Sequence, residues 1–239
     1  KASIQPVYGS AVIFAHNTKA KINGFTLVGA PGQPAVSVSA GGSEAPDFEI
    51  SNSIIRDSDI GIVVSLPQGR FALNRSLVMK NNQAIIDAAR GNLALENNTI
   101  VDNQIGYYLN ESAGVHILRN NIVVNNRVDG ILVSALGKKT VLKMHHNNVW
   151  GNARDYYSYT DRETFTPDGI GNLSIDPVFS SEGKFRLIGS SSMIDAGDPE
   201  TKDPDGTRAD VGAYPFSADS RTQAESGFFS SLIRTLFGR

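Results

Sequence analysis

The stretch LENNTIVDNQIGYYLN, Leu95 to Asn110, is echoed downstream by LRNNIVVNNRVDGILV, Leu118 to Val133, and upstream by LNRSLVMKNNQAIID, Leu73 to Asp87, and ISNSIIRDSDIGIVV, Ile50 to Val64. Weaker copies, INGFTLVG from Ile22 and MHHNNVWGN from Met144, flank this block. Aligned on their first apolar residue (Ile22, Ile50, Leu73, Leu95, Leu118, Met144), the copies are spaced by 28, 23, 22, 23 and 26 residues. Self-similarity at such a period is the signature of a solenoid, in which each unit buries its apolar side only by stacking on the next. Within each unit three short β-rich runs alternate with turns of Asn, Asp, Gly and Ser, and no 3.6-residue period is present. Three strands per turn at this length predict an all-β fold, a right-handed parallel β-helix of about six to eight rungs. Equivalent residues then stack about 4.8 Å apart.

Stacking gives each column of residues a meaning. Ile50, Leu73, Leu95, Leu118 and Met144, with Ile55, Val78, Ile100, Val123 and Val149, are expected to point into the core. The turn column Ser53, Ser76, Asn98, Asn121 and Asn147 reads as an internal ladder in which each amide bonds its equivalents above and below, satisfying buried backbone. Along the third strand, alternation places Val36, Ile62, Ile85, Tyr107 and Ile131 inside. It leaves Ser37, Val63, Ile86, Tyr108 and Leu132 outside, followed by a second outward column of Ser39, Ser65, Ala88, Asn110 and Ser134. Asp87 falls on the inward phase, so either the register slips by one there or the chain buries a carboxylate.

The remaining chain divides into 1–159 as rungs, 160–216 as an irregular closing segment rich in Gly and Pro, and 217–239 as a polar linker followed by a short amphipathic helix. In that last part Phe228, Phe229, Leu232, Ile233, Leu236 and Phe237 form one apolar face. Nothing ahead of Ala11 to Ala15 reads as a cover for the first rung, so an open N-terminal edge and self-association are expected. The net charge of −2 gives no basic excess for nucleic acid, and no apolar run is long enough for a membrane span. With no cysteine there is neither a disulfide framework nor a thiolate metal site.

These repeats resemble the pectate-lyase-like superfamily of parallel β-helix proteins, in particular the NN-I-I-x-x-N-x-x-G-I repeats of bacterial secreted and surface members. The segment of about residues 172–216, with NLSIDPVF, SMIDAGDP and DPDGTRADVGAYPF, is similar to the stretch that closes such helices before a surface anchor. The resemblance implies a secreted, periplasmic or cell-surface bacterial location and a polysaccharide or another surface protein as partner. It covers lyases, hydrolases, epimerases and adhesins alike, so activity must come from a site. Family enzymes that act on acidic polysaccharides carry an Asp cluster with calcium and a Lys or Arg base on one outward strand face. Neither outward column here holds an acid or a base.

The outward apolar stripe instead predicts an interface. Residues 160–216, a second copy or partner, or a sugar stacked on Tyr108 are the alternatives for what covers it. Charge gathers in the turn before that strand, where Asp57, Lys80 and Asp102 share a column with Arg127 nearby. If the protein is a lyase or hydrolase, Lys80 or Arg127 is the base, an Asp among Asp57, Asp87 and Asp102 the acid or calcium ligand, and Tyr108, Asn110 and Asp57 hold sugar. His145 and His146 are adjacent, which on a strand points them apart and argues against joint metal ligation, and His116 lies one rung earlier. Asp203, Asp205 and Asp210 surround Gly206 with hard oxygen ligands suited to calcium, although Asx turns explain the same composition.

Overall fold

The computed structural model describes residues 2–4, 12–30, 32–110, 113–134, 139–181 and 184–217. It is a right-handed parallel β-solenoid of about six turns, built from three sheets. Sheet A stacks Ala2–Ile4, Phe25–Val28, Ile54–Arg56, Leu77–Met79, Thr99–Val101, Ile122–Val124 and Asn148–Trp150. Sheet B stacks Ile13–His16, Pro34–Ser39, Ile60–Ser65, Gln83–Asp87, Ile105–Leu109, Asp129–Val133 and Arg154–Ser158, and ends on the antiparallel strand Glu163–Thr164. Sheet C stacks Lys19–Asn23, Asp47–Ser51, Arg70–Asn74, Asn92–Glu96, Gly114–Arg119 and Thr140–His145. The strand Ala2–Ile4, paired with Phe25–Val28, precedes the first run seen in the sequence.

The corners explain the repeated polar pairs. The first residue of each pair between sheets C and A lies in the left-handed region: Asn52, Arg75, Asn97, Asn120 and His146 have φ between 46° and 56°. Asn tolerates this conformation because its short side chain bonds locally. The next residue is the ladder residue: Asn98 and Asn121 each receive or give amide hydrogen bonds of 2.8 to 3.0 Å to neighbouring turns. Asn172 extends this ladder beyond Asn147, accepting from its backbone and side-chain amides at 3.1 Å. A second ladder at the corner between sheets A and B was not expected from the repeat. It runs through Ser58, Asn81, Asn103, Asn126 and Asn152, each preceded by a left-handed Asp57, Lys80, Asp102, Asn125 or Gly151. The Gly of the repeat follows from this second ladder, because a Cβ on Gly130 would stand 2.6 Å from the Asn152 side-chain amide.

The inward columns are as the alternation predicts: Ile50, Leu73, Leu95, Ile55, Val78 and Ile100 are all buried in one core. The closing segment does two things. Phe165 packs against Tyr156 and the end of this core, while Leu173 bridges Asn148 and prolongs sheet A. The chain then runs back along the outer face of sheet A, where Leu187, Met193 and Val211 build a second core on Leu77, Val101, Ile122 and Val124. Each such side chain contributes roughly 1.5–3 kcal/mol when fully buried. Among the described residues, none of this second core comes from the sheet B stripe, which the closing segment meets at its last rung, where Thr164 pairs with Tyr157. There is no helix among the described residues, and the expected helix with Phe228 to Phe237 lies outside them.

Candidate functional site

The outer face of sheet B carries an unbroken column, paired rung to rung: Phe14, Ser37, Val63, Ile86, Tyr108, Leu132 and Tyr157. Phe14 is 69% exposed, and Tyr108 and Tyr157 are half-buried. Polar groups border the column. The Tyr108 hydroxyl donates to Asn110 Oδ1 at 3.3 Å, and the Ser134 hydroxyl reaches the same oxygen at 3.1 Å. Arg154 holds the buried Asp129 with two bonds of 2.6 and 2.8 Å, and its guanidinium lies 3.6 Å over the Tyr157 ring. The strip thus carries aromatic and aliphatic side chains, with Asp129 and Arg154 at the start of its strands and Asn110 and Ser134 just past their end.

The charged turn lies elsewhere. Asp57, Lys80 and Asp102 do share one column, the left-handed corner between sheets A and B, and all three are exposed with Arg127 two residues beyond that corner. Although the residue is exposed, partial desolvation of its carboxyl group raises the Asp102 pKa from its ordinary value despite the attraction of Lys80. Asp57 pairs with Arg56. Asp87 belongs to neither surface. Its register does not slip: it pairs with Val64 and Leu109 and points inward, fully buried. There it accepts hydrogen bonds from the Tyr107 hydroxyl and from His116 Nδ1, both at 2.6 Å. A ligand on an outer face does not touch it.

The acidic residues of the tail use their oxygens on the protein itself. Asp203 accepts the Asp210 amide at 2.7 Å and faces Arg75 at 3.5 Å; Asp210 accepts the amides of Asp195 and Phe216; Asp205 accepts both the amide and the hydroxyl of Thr207. These bonds fix the path of the tail over the corner column, where Asn97 donates to the Asp210 carbonyl and Asn120 accepts the Asp198 amide. Asp203, Asp205 and Asp210 are also not among the described residues whose ligand atoms converge within 4.8 Å of one another. Calorimetry with calcium is therefore expected to show no saturable heat, and Asp205→Ala no loss of calcium-dependent melting temperature.

A cavity of about 690 Å³ opens at the last turn of sheet C. Its wall includes His145, His146, Phe165, Asp168, Asp198 and Glu200. The two histidines do not point apart. His146 sits at the left-handed corner (φ 54°), so the chain turns between them and their Nδ1 atoms stand 3.4 Å apart. Asp198 Oδ2 comes within 3.6 Å of His145 Nδ1 and 3.3 Å of an Arg119 nitrogen. Burial, with the nearby Arg119, holds the His145 imidazole below its usual range, while the Glu200 amide and Arg119 hold the Asp198 carboxyl low. The corner pattern in HHNN, read against NN and RS in the other rungs, was the sequence signal for this juxtaposition.

Among known proteins, the crystal structure of pectate lyase Pel9A aligns over 90% of this chain and 86% of its own, with 12% identity and a TM-score of 0.45. No curated protein matches the sequence. The profile described as "Right handed beta helix region" matches residues 2–168, the whole of the rung-forming part and the strand that closes it. With its period, its two polar ladders and its three parallel sheets, the chain belongs to the right-handed β-helix family.

Proposed function

We propose that this is a secreted or cell-surface protein that binds a polysaccharide along the outer face of sheet B. The carrying observation is the in-register column from Phe14 to Tyr157 with Asn110 and Ser134 beside it. Sugars offer apolar C–H faces and equatorial hydroxyls together. Aromatic side chains on the column receive the former, and the amide of Asn110 and the hydroxyl of Ser134 beside it receive the latter. An apolar strip of this length on a solenoid also needs a cover, and an extended polymer matches its one-dimensional shape. Tyr108 and Asn110 are the central contacts of this reading, and Asp57, on a different corner, is outside it.

Affinity electrophoresis in gels containing neutral and uronic-acid polymers tests the proposal. At least one polymer should retard the protein, and Tyr108→Ala should weaken that binding about tenfold, or about 1.4 kcal/mol, at a temperature where the variant is still folded. Asp57→Ala should bind normally. No retardation by any polymer, or equal retardation of wild type and Tyr108→Ala, overturns it.

One observation favours a second reading, a lyase or hydrolase acting at the charged corner: Lys80 and the carboxyl of Asp102, whose pKa is raised by partial desolvation, occupy successive rungs of one column. Arg127 stands beside them as a further cation. Ultraviolet absorbance of the unsaturated product, abolished in Lys80→Ala, would establish the lyase.

A further inference from the structure

The cavity at the last turn of sheet C contains the chemistry that the polysaccharide reading leaves unused. His145 ends the strand Thr140–His145 and stands in register with Arg119, whose other neighbour in the column is Glu96. His146 occupies the corner position that Asn97 and Asn120 hold in earlier rungs. Asp198 comes from the returning tail, pinned by its own amide, which donates to Asn120 Oδ1 at 2.7 Å. One ligand atom from each of the three residues lies within 4.8 Å of the others, and among the described residues no other group of three His, Cys, Asp or Glu does so.

We propose that His145, His146 and Asp198 bind one divalent transition-metal ion of the zinc class, which ties the tail to the last turn and turns its open coordination positions toward the cavity. The spacing fits. Two nitrogens held about 2.0–2.1 Å from a tetrahedral zinc ion stand roughly 3.3–3.4 Å apart, and the two Nδ1 atoms are separated by 3.4 Å. The Asp198 oxygen, at 3.6 Å from His145, needs only a small adjustment to take a third vertex. Two imidazoles and one carboxylate suit zinc, iron or cobalt and not calcium, which takes oxygen.

The ligands are also held in place, as metal sites require. Asp198 Oδ1 accepts the Glu200 amide at 3.0 Å, leaving Oδ2 for the ion. The His146 ring is wedged against Gly171, where a Cβ would meet its Cδ2 at 2.3 Å. The protein supplies three ligands, so at least one position is left for water or for a group entering between Phe165, Asp168 and Glu200. Arg119 is the competing charge: it is 3.3 Å from the same Asp198 oxygen and must yield part of that contact to the ion.

The test is titration of the chelator-treated full chain with Zn²⁺ by calorimetry and with Co²⁺ by visible absorption. One ion per chain is expected, with the intense visible bands of low-coordinate Co²⁺ and a melting temperature that rises with metal. His145→Ala, His146→Ala and Asp198→Asn should each weaken binding at least about tenfold. Arg119→Gln should tighten it several-fold by removing the neighbouring charge, a change that a purely structural role for the cluster does not produce. Asp203→Asn should bind as wild type. If an alanine variant does not fold without metal, the glutamine replacement at that position is read instead. Absence of heat and of Co²⁺ bands in the wild-type chain overturns the site, and so does full binding by His146→Ala. Loss of binding in Asp203→Asn would move the ion to the tail acids and equally overturn it.

Discussion

Asp87→Leu is expected to destabilise the protein by about 3–5 kcal/mol, the range for removing one partner from a buried charged pair. Asp87, Tyr107 and His116 are all fully buried inside the solenoid, with Leu93 and Leu142 stacked on either side of His116. Asp87 Oδ1 takes the Ala89 amide at 3.0 Å, and Oδ2 takes the Tyr107 hydroxyl and His116 Nδ1. His116 Nε2 lies 2.7 Å from the Ala113 carbonyl, which only accepts. A doubly protonated imidazole satisfies both contacts, donating from Nδ1 to the carboxylate and from Nε2 to the carbonyl. Burial opposes that charge, but the Asp87 hydrogen bond and charge, with the Ala113 carbonyl, outweigh it and raise the His116 pKa. Burial and the Asp87 charge push the Tyr107 phenol well above its ordinary range, so it stays a donor.

The sign of the pH effect follows. A histidine whose folded pKa is raised adds stability that is fully present below its unfolded value of about 6.5 and is lost as pH rises through the folded value. Urea unfolding should therefore show stability falling from pH 6 into the alkaline range in the wild type, and a flatter profile in His116→Gln. Replacing all three residues together, Asp87→Leu with His116→Leu and Tyr107→Phe, should cost far less than Asp87→Leu alone, because no buried charge is then left unpaired. A change of less than 1 kcal/mol for Asp87→Leu would show that the trio carries no such charge.

Asp87 also shows where sequence reading succeeds and where it stops. The period of two along the strand Gln83–Asp87 reduced its direction to two alternatives, a register slip or a buried carboxylate, because a strand residue has only two faces to choose from, and the register with Val64 and Leu109 decides for burial. The partners were beyond reach. Tyr107 lies on the next rung of the same sheet but in register with Ile85, so its reach to Asp87 depends on its side-chain rotamer. His116 comes from sheet C, whose placement against sheet B no spacing records. The repeat period made the rungs, the core columns and the first ladder legible. The tail was not, because its contacts with sheet A depend on single side chains such as Leu187, Met193 and Val211, which carry no period. His145 and His146 were misjudged for a local reason. Alternation was applied across a residue that the column of Asn97 and Asn120 marks as a corner, and at a left-handed residue alternation fails. The charged column of Asp57, Lys80 and Asp102 was placed correctly, but as the corner residues ahead of a ladder that the sequence did not announce.

That second ladder carries the other large effect. From the sequence alone, Asn121→Leu is costly, and Asn126→Leu is cheap if its column faces solvent. Asn126 is instead 1% exposed, so both substitutions should be costly, by about 3 kcal/mol or more each, at roughly 1–3 kcal/mol for every buried group left without a partner. Asn121 Oδ1 receives the backbone and side-chain amides of Asn98, and its own amide donates to the Leu95 carbonyl and to Asn147. Asn126 Oδ1 receives both amides of Asn103, and its own amide donates to the Ile100 carbonyl and to Asn152. Leucine at either place strands a backbone N–H and a carbonyl in the interior. Serine should cost less than leucine, since at Ser76 a hydroxyl already accepts the Ser53 amide at 3.1 Å, the acceptor half of the same job. Urea denaturation of Asn121→Leu, Asn126→Leu and Asn126→Ser decides it. A loss below 1 kcal/mol for Asn126→Leu would mean that the corner between sheets A and B draws its amide partners from water and not from the column.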